Sequence, residues 1–386
     1  MNQINDIIHF IRHTYNKPEG FIPLHEPRFM GNEKKYLNEC IDSTFVSSVG
    51  PFVDKLEDMV SDFTGSSKAV VCVNGTNALH LALILSDVKP GDEVITQPLT
   101  FIATANAISY CGAKPIFVDV DMETLGLSPH TLEDWLFANA NVEETSEGFV
   151  ARNKITGNKI SACVPMHTFG HPCKIDEIIK VCNKFHIKVV EDAAESLGSY
   201  YKQKHTGTFA DIGVLSFNGN KIISTGGGGM LLFKDKQVGE HAKHLSIQAK
   251  LPHKWEFRHD HIGYNYRMPN INAALGCAQM EQLKEFLNSK RRLAMDYKSF
   301  FSQLGVNFIT EPGNGSSNFW LNAILLENRE ARDEFLENTN KNGVMTRPVW
   351  ELINTLPMFT NCFTSTLPNA EFLAERLVNI PSSVPL

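Results

Sequence analysis

Two residues of this chain could form the reactive centre of an enzyme, a lysine and an aspartate that precedes it. Lys221 ends the segment SFNGNK, and Asp192 lies in the earlier segment EDAAE. A lysine amine can form a Schiff base with an aldehyde, and a strand-terminal carboxylate can keep a pyridine nitrogen protonated. These are the two groups that pyridoxal phosphate requires of a protein, so we predict this cofactor.

Each of the two residues also has an ordinary structural explanation. Asp192 ends an apolar run and could cap the segment that follows, and a lone lysine is most often a solvated surface residue. Lys221, however, lies between the apolar run 212–216 and the glycine run 226–229, which favours burial. A desolvated lysine has a lowered pKa and becomes nucleophilic near neutral pH. We therefore take both residues as catalytic candidates.

Other residues could hold the remaining parts of such a cofactor. Gly75 and Thr76 follow the apolar run 68–73 at a predicted helix start, where backbone N–H groups bind phosphate. Ser216 could add a hydroxyl to the same phosphate, although serine also suits an ordinary strand end. Phe101 could stack on a flat ring, although a place in the core is the common alternative for phenylalanine.

Short apolar runs alternate with amphipathic segments along the chain. The pattern predicts strands at 68–73, 92–96, 115–119, 159–165, 188–192 and 230–233, and helices at 77–86, 104–111, 175–185 and around 271–286. This alternation indicates an α/β fold with a mostly parallel sheet that is covered on both faces. Ligands of such sheets bind at the carboxyl ends of the strands, where the candidate residues lie.

The composition is that of an ordinary globular protein. The 386 residues carry a formal net charge of −7, so nucleic acid is not indicated as a partner. No apolar run is long enough to span a membrane, and the N-terminus lacks the features of a signal peptide. The eight cysteines include no C-x-x-C pair. We therefore expect reduced thiols, no metal site and a cytoplasmic location.

Five ordered segments resemble the sugar-nucleotide aminotransferases of the DegT/DnrJ/StrS family. The segments are 73–78 (VNGTNA), 98–104 (PLTFIAT), 189–195 (VVEDAAE), 217–221 (FNGNK) and 263–267 (GYNYR). The resemblance implies the type I fold of pyridoxal-phosphate-dependent transferases, with a mostly parallel central sheet. It also implies an N-terminal arm and a large cofactor domain in residues 1–250, followed by a linker helix and a small C-terminal α/β domain in residues 251–386.

The resemblance implies a role for each candidate near the cofactor ring. Lys221 resembles the lysine that binds the cofactor aldehyde, and Asp192 resembles the partner of the pyridine nitrogen. Phe101 resembles the aromatic ring that stacks on the cofactor. Glu195 stands where the family usually has glutamine or histidine near the ring hydroxyl, so its role is less closely defined.

The resemblance also implies how the phosphate is held. Gly75, Thr76 and Ser216 resemble the phosphate cup of the family. Asn265 resembles an asparagine that reaches this phosphate from a neighbouring subunit, which implies a homodimer with shared active sites. A turn residue between two tyrosines is the alternative for Asn265.

The implied reaction is amino transfer to a nucleotide-linked ketosugar. A branch of the family has histidine in place of the lysine and dehydrates its substrate, so Lys221 favours amino transfer. Segments 21–27, 43–50 and 217–221 resemble the branch that makes 4-amino sugars for bacillosamine or legionaminic acid. The implied substrate is UDP-2-acetamido-4-keto-2,4,6-trideoxyglucose, with glutamate as the amino donor.

Two other functions stay open. A sugar-nucleotide dehydratase of the same fold would act on a ketosugar without consuming glutamate. A non-catalytic, ligand-sensing homologue would bind sugar nucleotide without turnover, and binding alone does not require a nucleophilic amine. The candidates for reading the sugar are His25, His167, Tyr264 and Arg267.

Overall fold

Apolar strands followed by helices form most of this fold, in a computed structural model that describes residues 2–146 and 148–385. The helices are α1 (Asn2–Thr14), α2 (Glu33–Asp42), α3 (Pro51–Thr64), α4 (Gly75–Leu85), α5 (Ala103–Tyr110), α6 (Pro129–Asn139), α7 (Ile175–Lys184), α8 (Lys236–Ser246), α9 (Asn270–Gln303), α10 (Arg329–Lys341) and α11 (Pro368–Arg376). In the described part of the chain, none of them has the length and apolar character needed to cross a membrane.

The strands are mostly short and lie between these helices. They are β1 (Lys68–Cys72), β2 (Glu93–Thr96), β3 (Lys114–Phe117), β4 (Ala140–Thr145), β5 (Gly148–Asn153), β6 (Lys159–Val164), β7 (Lys188–Asp192), β8 (Tyr200–Tyr201), β9 (Lys204–His205), β10 (Ile212–Ser216), β11 (Gly229–Phe233), β12 (Asn307–Phe308), β13 (Gly315–Ser316), β14 (Asn322–Leu325), β15 (Arg347–Pro348), β16 (Phe363–Thr364) and β17 (Leu377–Ile380).

The central sheet has the order β1-β11-β10-β7-β6-β2-β3-β16, and β4 and β5 extend it beside β6. Neighbouring strands from β10 to β16 are parallel, so the predicted α/β fold with a mainly parallel sheet is confirmed. At the other edge, β11 is antiparallel to β10 and to β1. No helix separates β10 from β11, and a parallel return would need a longer crossover.

Helices cover both faces of this sheet, which explains why consecutive residues in the middle of its strands are apolar. Side chains alternate between the faces. Val71 and Met230 pack with residues of α3 and α9, whereas Val70 and Leu231 pack with residues of α4, α5 and α8. The polar ends of the strands therefore remain as the places where functional side chains can meet.

A second sheet, with the antiparallel order β12-β14-β17-β15, packs against the C-terminal half of α9. The N-terminal helix α1 belongs to this core, because Ile7, Ile8 and Ile11 pack there with Tyr297 and Phe301. A small third sheet, β13-β8-β9, joins the segment after β7 to the C-terminal part. The division into residues 1–250 and 251–386 stays a prediction.

Candidate active site

A cavity of about 310 Å³ opens at the carboxyl ends of β7 and β10, beside the first turn of α4. The predicted site residues that line it are Gly75, Thr76, Phe101, Asp192, Glu195, Ser216 and Lys221. Four separate segments supply these residues, and the fold of a single chain brings them together at one edge of the sheet.

Lys221 points into this cavity and is not solvated, since its side chain is only 12% exposed. Its Nζ atom lies 3.2 Å from Glu195 Oε1. The same atom lies 3.9 Å from the centre of the Trp320 ring, a distance at which an aromatic face attracts a cation. The Trp320 indole N–H also donates a 2.6 Å hydrogen bond to the carbonyl oxygen of Asn220. Glu195 and Trp320 therefore contact the lysine amine, and Trp320 also holds the backbone of the residue that precedes the lysine.

Asp192 is a buried carboxylate at the end of β7. Its Oδ2 accepts a 2.7 Å hydrogen bond from the Thr104 hydroxyl, and its Oδ1 accepts one from the Ala194 N–H at 3.2 Å. Oδ1 therefore caps the segment that follows β7, as the structural alternative for Asp192 predicted, whereas Oδ2 does not. Burial raises the pKa of this carboxyl, because the charged form loses its hydration. A cationic ring nitrogen in the cavity would restore the favourable environment for the charge.

Glu195 lies beside Lys221 and is also buried. Its Oε2 accepts a 2.9 Å hydrogen bond from the Phe169 N–H, while its Oε1 faces the lysine amine. Burial raises the pKa of Glu195 to about 7, and it outweighs the opposite effect of the Lys221 ammonium. A carboxyl of this kind can hold or release a proton near neutral pH.

The start of α4 has the features of a phosphate site. Asn74 caps the helix, because its side-chain oxygen accepts a 2.8 Å hydrogen bond from the Asn77 N–H. The first turn, with Gly75 and Thr76, presents backbone N–H groups to the cavity side. A Cβ atom on Gly75 would lie 3.1 Å from the Ser216 Cβ, so glycine lets the helix begin directly beside the serine hydroxyl.

The glycine run 226–229 shapes this turn from behind. A Cβ atom on Gly229 would lie 2.5 Å from the carbonyl oxygen of Asn74, closer than side chains approach a backbone. The run therefore lets β11 pass against the loop that begins α4. No nucleotide-loop motif surrounds this run in the sequence, and in the structure it packs behind the first turn of α4.

Phe101 lies at the wall of the cavity and is 51% exposed. The alternative of a core position is therefore wrong for this residue. Its ring centre is 6.5 Å from that of Trp350, at an interplanar angle of 59°. The exposed face is available to a flat ligand, as stacking on a cofactor ring requires.

Asn265 does not line the cavity of its own chain. Its side-chain oxygen accepts a 3.2 Å hydrogen bond from Arg267, and its backbone pairs with Ile247. The loop before it exposes the large apolar side chains of Trp255, Phe257 and Ile262. The expected contribution of Asn265 requires a second subunit and stays a prediction.

Several residues of the site were not found from the sequence. They are Leu79, Ala103, Thr104, Met166, Ala194, Asn218, Asn220, Trp320 and Trp350. Thr104 ends the segment 98–104, which carries part of the family resemblance, so its position in the site could have been predicted from the sequence. Trp320 and Trp350 come from the C-terminal half of the chain, where no local pattern marks them.

The four candidates for reading the sugar are absent from the lining of this cavity within the described residues. His167 is buried, and its Nε2 lies 3.1 Å from Glu191 while its Nδ1 accepts the Cys173 N–H. Both ring nitrogens are thus used inside the protein. His25 instead contacts Lys290.

One group of described side chains has the types and spacing of metal ligands, namely His244, Asp260 and His261. The Asp260 Oδ1 lies 2.6 Å from His244 Nε2 and 2.9 Å from His261 Nδ1. These contacts already provide each imidazole with a partner, so the cluster is accounted for without an ion. The expectation of no metal site stays a prediction.

Comparison with known proteins gives consistent matches along the chain. Residues 28–386 match the DegT/DnrJ/EryC1/StrS aminotransferase family. GDP-perosamine synthase of Escherichia coli O157:H7 is 40% identical over 94% of this chain and 93% of its own length. GDP-perosamine synthase of Caulobacter vibrioides is 35% identical over 92% and 91%.

Solved structures agree with these matches. The aminotransferase TlmJ from Streptoalloteichus hindustanus superimposes with a TM-score of 0.84 at 27% identity, over 94% of each chain. The predicted family, fold and cofactor are confirmed, since aminotransferases of this family use pyridoxal phosphate. The chain belongs to the DegT/DnrJ/EryC1/StrS aminotransferase family.

Proposed function

We propose that this protein transfers an amino group from glutamate to C4 of a nucleotide-linked 4-keto-6-deoxy sugar. The observation that carries the proposal is the placement of the Lys221 amine and the buried Asp192 carboxylate in one cavity. Bound pyridoxal phosphate supplies an aldehyde and an electron-withdrawing ring. The GDP-perosamine synthases at 40%, 35% and 34% identity support a sugar-nucleotide acceptor.

The residues around the reacting atoms have distinct proposed tasks. Lys221 holds the cofactor covalently and, once released, carries a proton between the substrate carbon and the cofactor carbon. Asp192 keeps the ring nitrogen protonated, and Thr104 fixes its carboxylate. Glu195 shares a proton with the ring hydroxyl, a task suited to an acid that titrates near neutral pH.

The remaining residues position the cofactor. The N–H groups at Gly75 and Thr76 and the Ser216 hydroxyl bind the phosphate, where the helix start favours an anion. Phe101 covers one face of the ring with its exposed side. Binding at three separate parts of one small molecule gives the orientation that proton transfer requires.

We propose two candidates for the nucleotide sugar. A GDP-linked 4-keto-6-deoxy sugar comes first, because three relatives named GDP-perosamine synthase align along nearly the whole chain. UDP-2-acetamido-4-keto-2,4,6-trideoxyglucose comes second, on the resemblance of segments 21–27 and 43–50 to the bacillosamine and legionaminic acid branch. A panel of ketosugars with both nucleotides, followed by NMR of the product, distinguishes them.

We also propose a homodimer in which Asn265 completes the phosphate site of the partner. The support is the exposure of Asn265 together with the apolar loop that carries Trp255 (75% exposed), Phe257 (80%) and Ile262 (85%). Exposed apolar patches of this kind mark interaction surfaces. A cytoplasmic location stays a prediction.

The proposed reaction is tested with Lys221→Arg in the loaded enzyme. Arginine keeps the charge and cannot bond covalently to the aldehyde, so we expect loss of glutamate-dependent turnover. Borohydride should fix the cofactor to Lys221 in the unmodified protein and not in the variant. Lys202→Arg is the matched control, because Lys202 is an exposed lysine paired with Asp176.

The same assay separates the alternative functions. Formation of one 2-oxoglutarate for each amino sugar supports the aminotransferase. Ketosugar conversion without glutamate consumption would support a dehydratase, and sugar-nucleotide binding without turnover would support a sensor. Either of these two results would overturn the proposal.

A further inference from the structure

Lys290 is a buried lysine for which the proposed reaction has no task. It lies within α9 and is fully buried. Its Nζ contacts His25 Nε2 at 3.0 Å, donates to the Trp320 carbonyl oxygen at 3.2 Å, and donates to the carbonyl oxygen of Ser382. Among the described residues it forms no ion pair with a carboxylate. Burial lowers the pKa of Lys290 to about 7, because the charged form loses its hydration. The three contacts of this amine indicate which segments it holds together.

The state of His25 agrees with this arrangement. Burial, followed by the charges of Lys290, Lys221 and Arg28, lowers the pKa of His25 well below its usual value. A neutral imidazole can accept a hydrogen bond at Nε2 from the Lys290 ammonium. Three acceptors then meet the three donors of one amine, and they come from the N-terminal segment, the segment before β14, and the C-terminus.

Trp320 connects Lys290 to the reactive lysine. Its backbone is fixed on both sides, because its carbonyl oxygen accepts from Lys290 and its N–H donates to Asn318 Oδ1 at 2.8 Å. Its side chain meets the loop of the reactive residue twice, through the ring face below Lys221 Nζ and through the indole N–H on Asn220. These contacts link the position of the Lys221 amine to the C-terminal part of the chain.

We propose that Lys290 is a positioning residue, which holds Trp320 so that the indole face and Glu195 together form a resting site for the free amine of Lys221. The inference deepens the proposed function, because a reactive lysine that is released in every cycle must be kept close and in one orientation. An aromatic face and a carboxylate both attract an ammonium group. The resting site would therefore hold the amine in one place and shield it from solvent.

The test measures how well the resting site shields the free amine of Lys221. Full-length protein is freed of cofactor with hydroxylamine and labelled with acetic anhydride at a fixed pH of 7. The Lys221 peptide is quantified by mass spectrometry, and its labelling rate is compared among variants. Glu195, Asp192 and His25 are retained in all of them.

We expect Trp320→Leu to raise the labelling rate of Lys221 several-fold, since the amine loses the aromatic ring that covers it. Lys290→Met should change the rate in the same direction, because Trp320 is then no longer held. Trp320→Phe should retain most of the wild-type protection. If Lys290→Met does not fold, Lys290→Gln, which keeps an amide donor for part of the contacts, should give a smaller increase.

The matched control is Tyr297→Phe. Tyr297 lies on the same helix and is equally buried, and its hydroxyl donates a 2.9 Å hydrogen bond to the Pro381 carbonyl oxygen next to Ser382. This variant loosens the same junction without touching Trp320, so the labelling rate of Lys221 should equal that of wild type. A wild-type labelling rate in the Lys290 variant that folds, or an equal increase in Tyr297→Phe, would overturn the positioning role. The labelling needs neither glutamate nor ketosugar, so failure of the proposed reaction is recognised separately.

Discussion

At the scale of single residues, two buried acids of the site differ in their neighbours and so in their chemistry. Asp192 accepts hydrogen bonds from Thr104 and Ala194, and these contacts do not replace a cation. Glu195 faces the amine of Lys221 and one backbone N–H. Burial raises the pKa of both carboxyls. Of the two, only Glu195 has the Lys221 ammonium as a direct partner that opposes this effect.

The first prediction concerns Glu195 and the pH dependence of stability. Its pKa in the folded chain is about 7, above the ordinary value of 4.5. Between these values the folded state binds more protons than the unfolded state, so Glu195 contributes stability that is present below pH 4.5 and is lost as the pH rises through about 7. We expect the free energy of unfolding of wild type, relative to Glu195→Gln, to fall by about 3 kcal/mol across this window.

Urea unfolding of the cofactor-free proteins at pH 5 and pH 7.5 measures this difference. Glu311→Gln is a suitable comparison, because Arg291 and the Ser317 N–H lower the pKa of Glu311 against the effect of burial. That substitution should show the opposite dependence on pH. A difference between wild type and Glu195→Gln that does not change with pH would contradict the environment described for this acid.

At the scale of elements, the site depends on how closely β11 approaches the start of α4. Gly229→Ala would place a Cβ atom 2.5 Å from the Asn74 backbone, whereas the same change at Gly227 would meet only the Val73 carbonyl oxygen at 3.9 Å. We expect Gly229→Ala to displace the phosphate-binding turn. The loss should be about tenfold or more in cofactor affinity, with about 1–3 kcal/mol in stability.

Absorbance titration of the cofactor-free protein with pyridoxal phosphate measures this effect. Gly227→Ala, which adds the same methyl group two residues away, should bind the cofactor nearly as wild type does. Equal affinity in the two variants would show that the close approach of β11 has no part in holding the phosphate.

Elements were predictable where their signals are local. The strand 188–192 and the helix 175–185 agree with β7 and α7 within one residue, because an apolar run and an amphipathic period mark them directly. The helix expected around 271–286 continues to Gln303. The stretch 277–304 contains neither glycine nor proline. Its buried apolar residues face the two cores that α9 connects. Three polar residues of the stretch are buried with them, namely Gln279, Ser289 and Lys290.

At the scale of the whole molecule, the prediction is that active sites are shared between two copies. Lys221→Ala and Asn265→Asp should each be inactive, the second because a carboxylate repels the cofactor phosphate. Refolded as a 1:1 mixture, half of the dimers are hybrids with one intact site, so about a quarter of the wild-type activity should return. Activity of the mixture, with sedimentation to establish the dimer, is the measurement.

A second pair of variants provides the control for this experiment. Asp192→Ala mixed with Lys221→Ala should stay inactive, because both residues line the same cavity of one chain and no hybrid then has an intact site. If the Asn265 mixture also stays inactive, Asn265 acts within its own chain or not at all.

The sequence by itself determined the fold class and singled out Lys221, Asp192 and the turn at the start of α4, which the structure brings together in one cavity. Each of these features belongs to a short segment, a strand end followed by a loop or helix start, and the order of segments in a parallel sheet brings such ends to one edge. Only the tertiary structure decided that Trp320 and Trp350 line this cavity and that Lys290 contacts Trp320. These three residues are far from the strand ends along the chain, and their positions arise from packing between distant segments, which no local pattern records.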